Sequence, residues 1–288
     1  MRNALAWLLF VLVPFAPAAR AELRDVMKRT EIDAQFAKMR GGELAQYQSD
    51  CCSVFFRVFN KEPGPYELYS NADRVFFVRH GKATVLIGGD LIGGKEKPHG
   101  VFIGSGLKSP RRHEIGPEDA VNIPRGTPFR VDPGKARVDA IEVRVFNTYE
   151  GKPSRFGANR PMNDVLTVAE QDALYGKFDS EQSVYVAHNF RIAFVIRLIP
   201  SAYESHGCCT DVYLPIHKGG ARLLLGGKIE NPVDKSGNGE VRGTGMTGSR
   251  EYDLTPGDMV LVPRAGEHYI DPRTVGKVGY IIVKMRAD

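Results

Sequence analysis

Two stretches of this chain, about half its length apart, carry one pattern, and a duplicated unit constrains the fold more than any single motif. The first copy opens with Glu-Leu-Tyr-Ser-Asn-Ala-Asp-Arg at 67–74 and passes Gly88-Gly89. It closes with Gly-Pro-Glu-Asp-Ala-Val-Asn-Ile-Pro-Arg-Gly-Thr-Pro-Phe, ending at Phe129. The second opens with Glu-Ser-His-Gly-Cys-Cys-Thr-Asp at 204–211 and passes Gly226-Gly227. Its closing run, Thr-Pro-Gly-Asp-Met-Val-Leu-Val-Pro-Arg-Ala-Gly-Glu-His, ends at His268. The offset drifts only from 137 (Glu67 to Glu204) to 139 (Pro124 to Pro263), so one structural unit has been duplicated. Only the second copy retains metal-type side chains.

Within each copy the apolar pattern is that of strands. Cys52 to Phe59 alternates, and Val75–Val78 and Ala83–Ile87 are β-branched or aromatic runs. Glycine and proline punctuate the chain at short intervals up to Val145, and the pattern recurs from Arg191 to Met285. Many short strands with regular turns predict an all-β sandwich or barrel in each repeat, not βαβ units. Helix is expected in two places. Ile32, Phe36 and Met39 share a helical face, with Thr30 as N-cap and Gly41-Gly42 as the stop. That helix is expected on the outside of the first barrel, with a flexible leader as the alternative. Thr167-Val-Ala-Glu170 has capping-box spacing in the connector between the repeats.

The amino terminus reads as a signal peptide over residues 1–21. Arg2 is a short positive start, Ala4–Phe15 a brief apolar run, and Ala19-Arg20-Ala21 a small-x-small cleavage site. The mature protein is expected to be secreted, and periplasmic if the source is Gram-negative, with no membrane attachment after cleavage. Setting aside Arg2 and Arg20 leaves 37 of the 39 basic residues against 34 acidic, a net of +3. No cluster gathers that excess, which argues against nucleic acid as a partner. Four cysteines form two adjacent pairs, Cys51-Cys52 and Cys208-Cys209. In an exported protein an even count favours disulfides, here between the pairs, because bonding within a pair closes a strained ring. Soft-metal binding by thiolates is the alternative.

The run Asn-Ala-Asp-Arg-Val-Phe-Phe-Val-Arg-His-Gly-Lys-Ala-Thr-Val resembles the first cupin motif. Pro-Gly-Asp-Met-Val-Leu-Val-Pro-Arg-Ala-Gly-Glu-His and Pro-Glu-Asp-Ala-Val-Asn-Ile-Pro-Arg-Gly resemble the second. The likeness covers nearly all of 52–146 and 190–285, and implies a bicupin: two tandem antiparallel jelly-roll barrels. The implied organisation is a helical segment at 22–50, a first cupin domain at 51–148, a linker with a short helix at 149–189, and a second cupin domain at 190–288. In cupins two His, one Glu and a final His converge on a divalent metal. In the first copy Glu67, Tyr69, Arg74 and Phe129 stand at those positions, so that barrel is expected to be metal-free. Arg74 could instead fix an anionic ligand there, with Tyr69 orienting it. In the second copy Glu204, His206, Asp211 and His268 are all ligand types, suited to Fe(II), Mn(II) or Zn(II). Two departures stand out: Glu204 replaces a histidine, and Asp211 is one methylene shorter than glutamate. His80 and His217 fall at nearly matching places, which favours a structural role for both.

Two classes of function follow. One is a metal-dependent enzyme of dioxygenase, isomerase or decarboxylase type acting on a small molecule, with Glu204 as base. The other is a non-catalytic binding or structural cupin with both metal sites lost. A homodimer through the outer sheets is compatible with either.

Overall fold

The computed structural model describes residues 25–146, 164–177, 180–187, 189–235, 239–273 and 275–286. The leader read at 1–21 lies outside them, as does His188. No helix among the described residues is long and apolar enough to cross a membrane.

Strand Phe190–Arg197 shows how the alternation is used. Ile192, Phe194 and Ile196 join one buried cluster while Ala193 and Val195 join another. Successive side chains point to opposite faces, so a strand apolar at both parities is covered on both sides. One face lines the interior of its own barrel. The other meets the first barrel, and the two barrels stack through their larger sheets.

Those larger sheets have one strand order. In the first barrel it is Gly42–Gln48, Cys52–Phe59, Val138–Phe146, Ala72–His80, Ala120–Ile123, and finally Val165–Leu166. In the second it is Ser180–Val186, Phe190–Arg197, Val278–Arg286, Cys209–Tyr213, Met259–Val262, and finally Val26–Met27. All pairings are antiparallel. Each sheet therefore ends on a strand donated by the other repeat. The smaller sheets match too, with Glu67 opposite Phe129 and Glu204 opposite His268.

The donated strands reveal that the duplication is longer than its motifs. Asp25-Val26, Glu31, Asp33-Ala34 and Lys38 recur as Asp164-Val165, Glu170, Asp172-Ala173 and Lys177, at a constant offset of 139. Each strand leads into a helix, α1 at Arg29–Lys38 and α2 at Val168–Tyr175. The backbone N–H of Arg29 donates to Asp258 at 2.8 Å, and that of Val168 donates to Asp119 at 2.8 Å. Both aspartates belong to the opposite barrel and satisfy a free donor of the first helical turn. The helices then return to their own barrels, Asp33 pairing with Arg79 at 2.9 Å and Asp172 with His217 at 2.7 Å.

Three expectations are corrected. Helix α1 starts at Arg29, so Thr30 lies inside its first turn, and Glu31 reaches back to the N–H of Lys28 at 3.1 Å. Its arm is not confined to the first barrel but spans both. Bonds between the cysteine pairs do not form. The sulfurs of Cys208 and Cys209 are at bonding distance from each other, while Cys51 and Cys52 are buried free thiols. The reason is strand parity. Cys51 faces the inter-barrel core, where it meets the hydroxyl of Thr210 at 4.0 Å, and the neighbouring Cys209 points the other way.

Turn chemistry is shared between the copies. Gly89 (φ +72°) and Gly227 (φ +91°) sit where an added Cβ would lie 2.0 Å and 2.4 Å from the carbonyls of Lys108 and Thr247. Only glycine fits both the left-handed backbone and that approach.

Candidate metal centre

Strand Tyr203–His206 puts Glu204 and His206 two residues apart, on one face, aimed into the second barrel. His268 opens the neighbouring strand and lies directly across from Glu204. Donor atoms of Glu204, His206 and His268 all lie within 4.8 Å of one another. Ligands about 2.1 Å from a shared ion are at most about 4.2 Å apart, so small side-chain adjustments close this set. Nδ1 of His268 faces the carbonyl of Gly266 at 3.1 Å, which makes Nδ1 the donor and leaves the Nε2 lone pair for the cavity. Burial, then the charges of Lys284, His268, Arg242 and Arg191, push the His206 imidazole down to about 2. It is neutral, as a ligand must be.

Asp211 stands beside this triad, 3.9 Å from Nε2 of His206 and 3.5 Å from Nζ of Lys284. Both its carboxylate oxygens are buried without a hydrogen bond. A buried charge in that state calls for a cation. Two imidazoles and two carboxylates fit a divalent ion of the Fe(II), Mn(II) or Zn(II) kind.

The first barrel serves as an internal comparison. Tyr69 stands for His206, Phe129 for His268 and Arg74 for Asp211. Arg74 is 1% exposed and fills the centre. Its Nε donates to Glu142 at 2.6 Å and its Nη1 to Glu67 at 3.2 Å. The rings of Tyr69, Phe129 and Phe76 surround the guanidinium at 4.3, 4.7 and 4.8 Å. The charge of Arg74 thus meets the carboxylates of Glu142 and Glu67 within the barrel. That barrel holds an apolar void of about 10 Å³ lined by Phe59, Phe76 and Val78. The second barrel instead holds a cavity of about 250 Å³.

Sequence reasoning missed much of that cavity's lining: Arg191, Arg197, Tyr213, Arg242, Tyr280 and Lys284. The signal was parity. Arg191 and Arg197 share the inward parity of Ala193 and Val195, and a charged group there marks a polar interior. Three other histidines act elsewhere. His217 is buried between Glu118 (2.9 Å) and Asp172 (2.7 Å), where it ties the barrels together. His80 is half exposed near Asp33 and Asp139, and His113 meets Asp164 at 2.8 Å.

No protein-family model matches the sequence, and no curated protein matches it. Solved structures do. A cupin 2 conserved barrel domain protein from Leptotrichia buccalis superposes with a TM-score of 0.56 at 7% identity, covering 92% of this chain and 98% of that one. Salicylate 1,2-dioxygenase from Pseudaminobacter salicylatoxidans gives 0.54 at 13% identity, covering 97% and 87%. At such identities the likeness is one of fold: this chain is built as two cupin-type jelly-roll barrels in tandem.

Proposed function

We propose that the second barrel is a divalent-metal centre held by Glu204, His206 and His268 with Asp211 beside them, in an exported chain that acts on a small molecule. The observation that carries this is the donor cluster next to a carboxylate with no hydrogen bonds. The first barrel adds support. There the glutamate equivalent to Glu204 faces a built-in guanidinium, and the second barrel has replaced that cation with Asp211. The change reverses the charge at the centre and leaves room for an ion from outside. Such an ion supplies Lewis acidity or oxygen activation. In this reading Glu204 is a ligand, not the base expected from sequence. A dioxygenase shares the fold, yet fold alone does not assign a reaction.

A non-catalytic cupin is the second reading, and one observation favours it. Lys284 and Arg242 approach Asp211 and Glu204 to 3.5 and 3.6 Å and partly balance them without metal. Elemental analysis of protein purified without chelator or nickel separates the two. The metal reading predicts about one Fe, Mn, Zn or Cu per chain, lost in H206A/H268A. A metal-free chain that takes up no added ion would sink it.

A further inference from the structure

The cavity's charges are almost all accounted for, and the exception points to a ligand. Four basic and four acidic side chains line it. Arg191 pairs with Glu181 at 2.7 Å, Arg242 with Glu240 at 2.8 Å, and Lys284 lies 3.5 Å from Asp211. Arg197 differs. Among the described residues its hydrogen bond runs from Nε to the phenol oxygen of Tyr280 at 3.2 Å, and no carboxylate lies within salt-bridge distance. Tyr280 accepts that bond, so its own O–H proton remains to be donated.

Both groups are specific to the second barrel. Arg197 and Phe59 each end the same strand of their repeats, and Tyr280 and Ala140 each stand third in the last long strand. In the first barrel Phe59 and Ala140 line the apolar void. In the second, the same two positions bring a guanidinium and a phenol into the polar cavity. Nothing in the packing of a closed barrel requires that pair.

We infer that Arg197 and Tyr280 form the anchor for an anionic group, a carboxylate, of a small ligand held in the second barrel. The guanidinium Nη groups supply the planar fork that matches a carboxylate, and the Tyr280 hydroxyl adds a third donor. The charge balance agrees, and here the inference rests on the metal reading. Four positive and four negative side chains cancel, so a bound divalent ion leaves the cavity at +2. A dianion restores neutrality, and a monoanion halves the excess. The cavity of about 250 Å³ falls below the roughly 300–1,000 Å³ of drug-sized sites, which restricts the ligand to a small acid.

Binding of acetate, benzoate and succinate to Mn(II)-supplemented full-length protein, each compared with its amide, tests this by calorimetry. At least one acid is expected to bind about tenfold or more tighter than its amide. R197M should weaken that acid about tenfold to a hundredfold, the worth of charge-assisted hydrogen bonds, and leave the amide unchanged. Y280F, which keeps the guanidinium, should weaken it about threefold to tenfold and covers the case in which R197M does not fold. The proposal is overturned if no acid binds, if amides bind as well, or if acid binding in the folded variants matches the wild type. Metal content is read on the same samples. A chain without metal whose acid binding still depends on Arg197 sinks the metal reading and upholds the anchor.

Discussion

Ala265 holds a left-handed backbone, φ +58°, where its counterpart in the first barrel is Gly126 at +72°. The position is fixed by function of the turn. The N–H of Ala265 donates to the carbonyl of His206 at 3.0 Å, as that of Gly126 does to Tyr69 at 2.7 Å. A side chain there costs about 1–2 kcal/mol, set against about 0.5–1 kcal/mol by which glycine loosens the unfolded chain. A265G is therefore expected to stabilise the protein by about 0.5–1 kcal/mol, read from the denaturant midpoint, with metal content unchanged. A lower midpoint would show that the Ala265 methyl makes a contact worth more than the strain. The motif was legible in the sequence as Pro-Arg-Gly and Pro-Arg-Ala. The strain was not, because only the carbonyl of a candidate ligand strand fixes that angle.

At the scale of elements, the first barrel's long strands converge their charges on Glu142. It is 0% exposed and accepts from Arg74 at 2.6 Å, Arg144 at 2.6 Å and Arg57 at 3.2 Å. Burial alone would raise this carboxyl, but Arg74, Arg57 and Arg144 together outweigh it and hold it far below the usual value of 4.5. Its folded pKa is depressed, so the unfolded chain binds the extra proton. The stabilisation is then present above about pH 4.5 and is lost as pH falls below it. E142Q should cost about 3–5 kcal/mol at pH 7, since it strands buried guanidinium groups. Its stability should also fall less steeply than wild type below pH 4.5. Equal acid slopes in the two proteins would place the acid-sensitive group elsewhere. Sequence showed that Arg74 could not be a ligand, but not that Glu142 would meet it. The two sit 68 positions apart and are joined only by strand register.

Across the whole molecule, two sister barrels share one architecture and have divided its uses. One fills its centre with its own cation, and the other keeps a polar cavity lined by four metal-type side chains. The exchanged arms bind the two together, since each larger sheet is finished by the other repeat. The barrels and their order were legible, because turn residues and strand alternation are local signals repeated twice. The arms were not, because a two-residue strand such as Val26–Met27 gains its meaning only from a partner more than two hundred residues away. The candidate ligands were legible by type, whereas their grouping was not: Glu204 lies in the tight set and Asp211 beside it. The most direct test of the account is anomalous diffraction from crystals soaked in Mn(II). It predicts a single strong peak per chain, within bonding distance of Glu204, His206 and His268 and absent from the first barrel. Density confined to other sites, or a centre occupied by the ammonium group of Lys284, would contradict it.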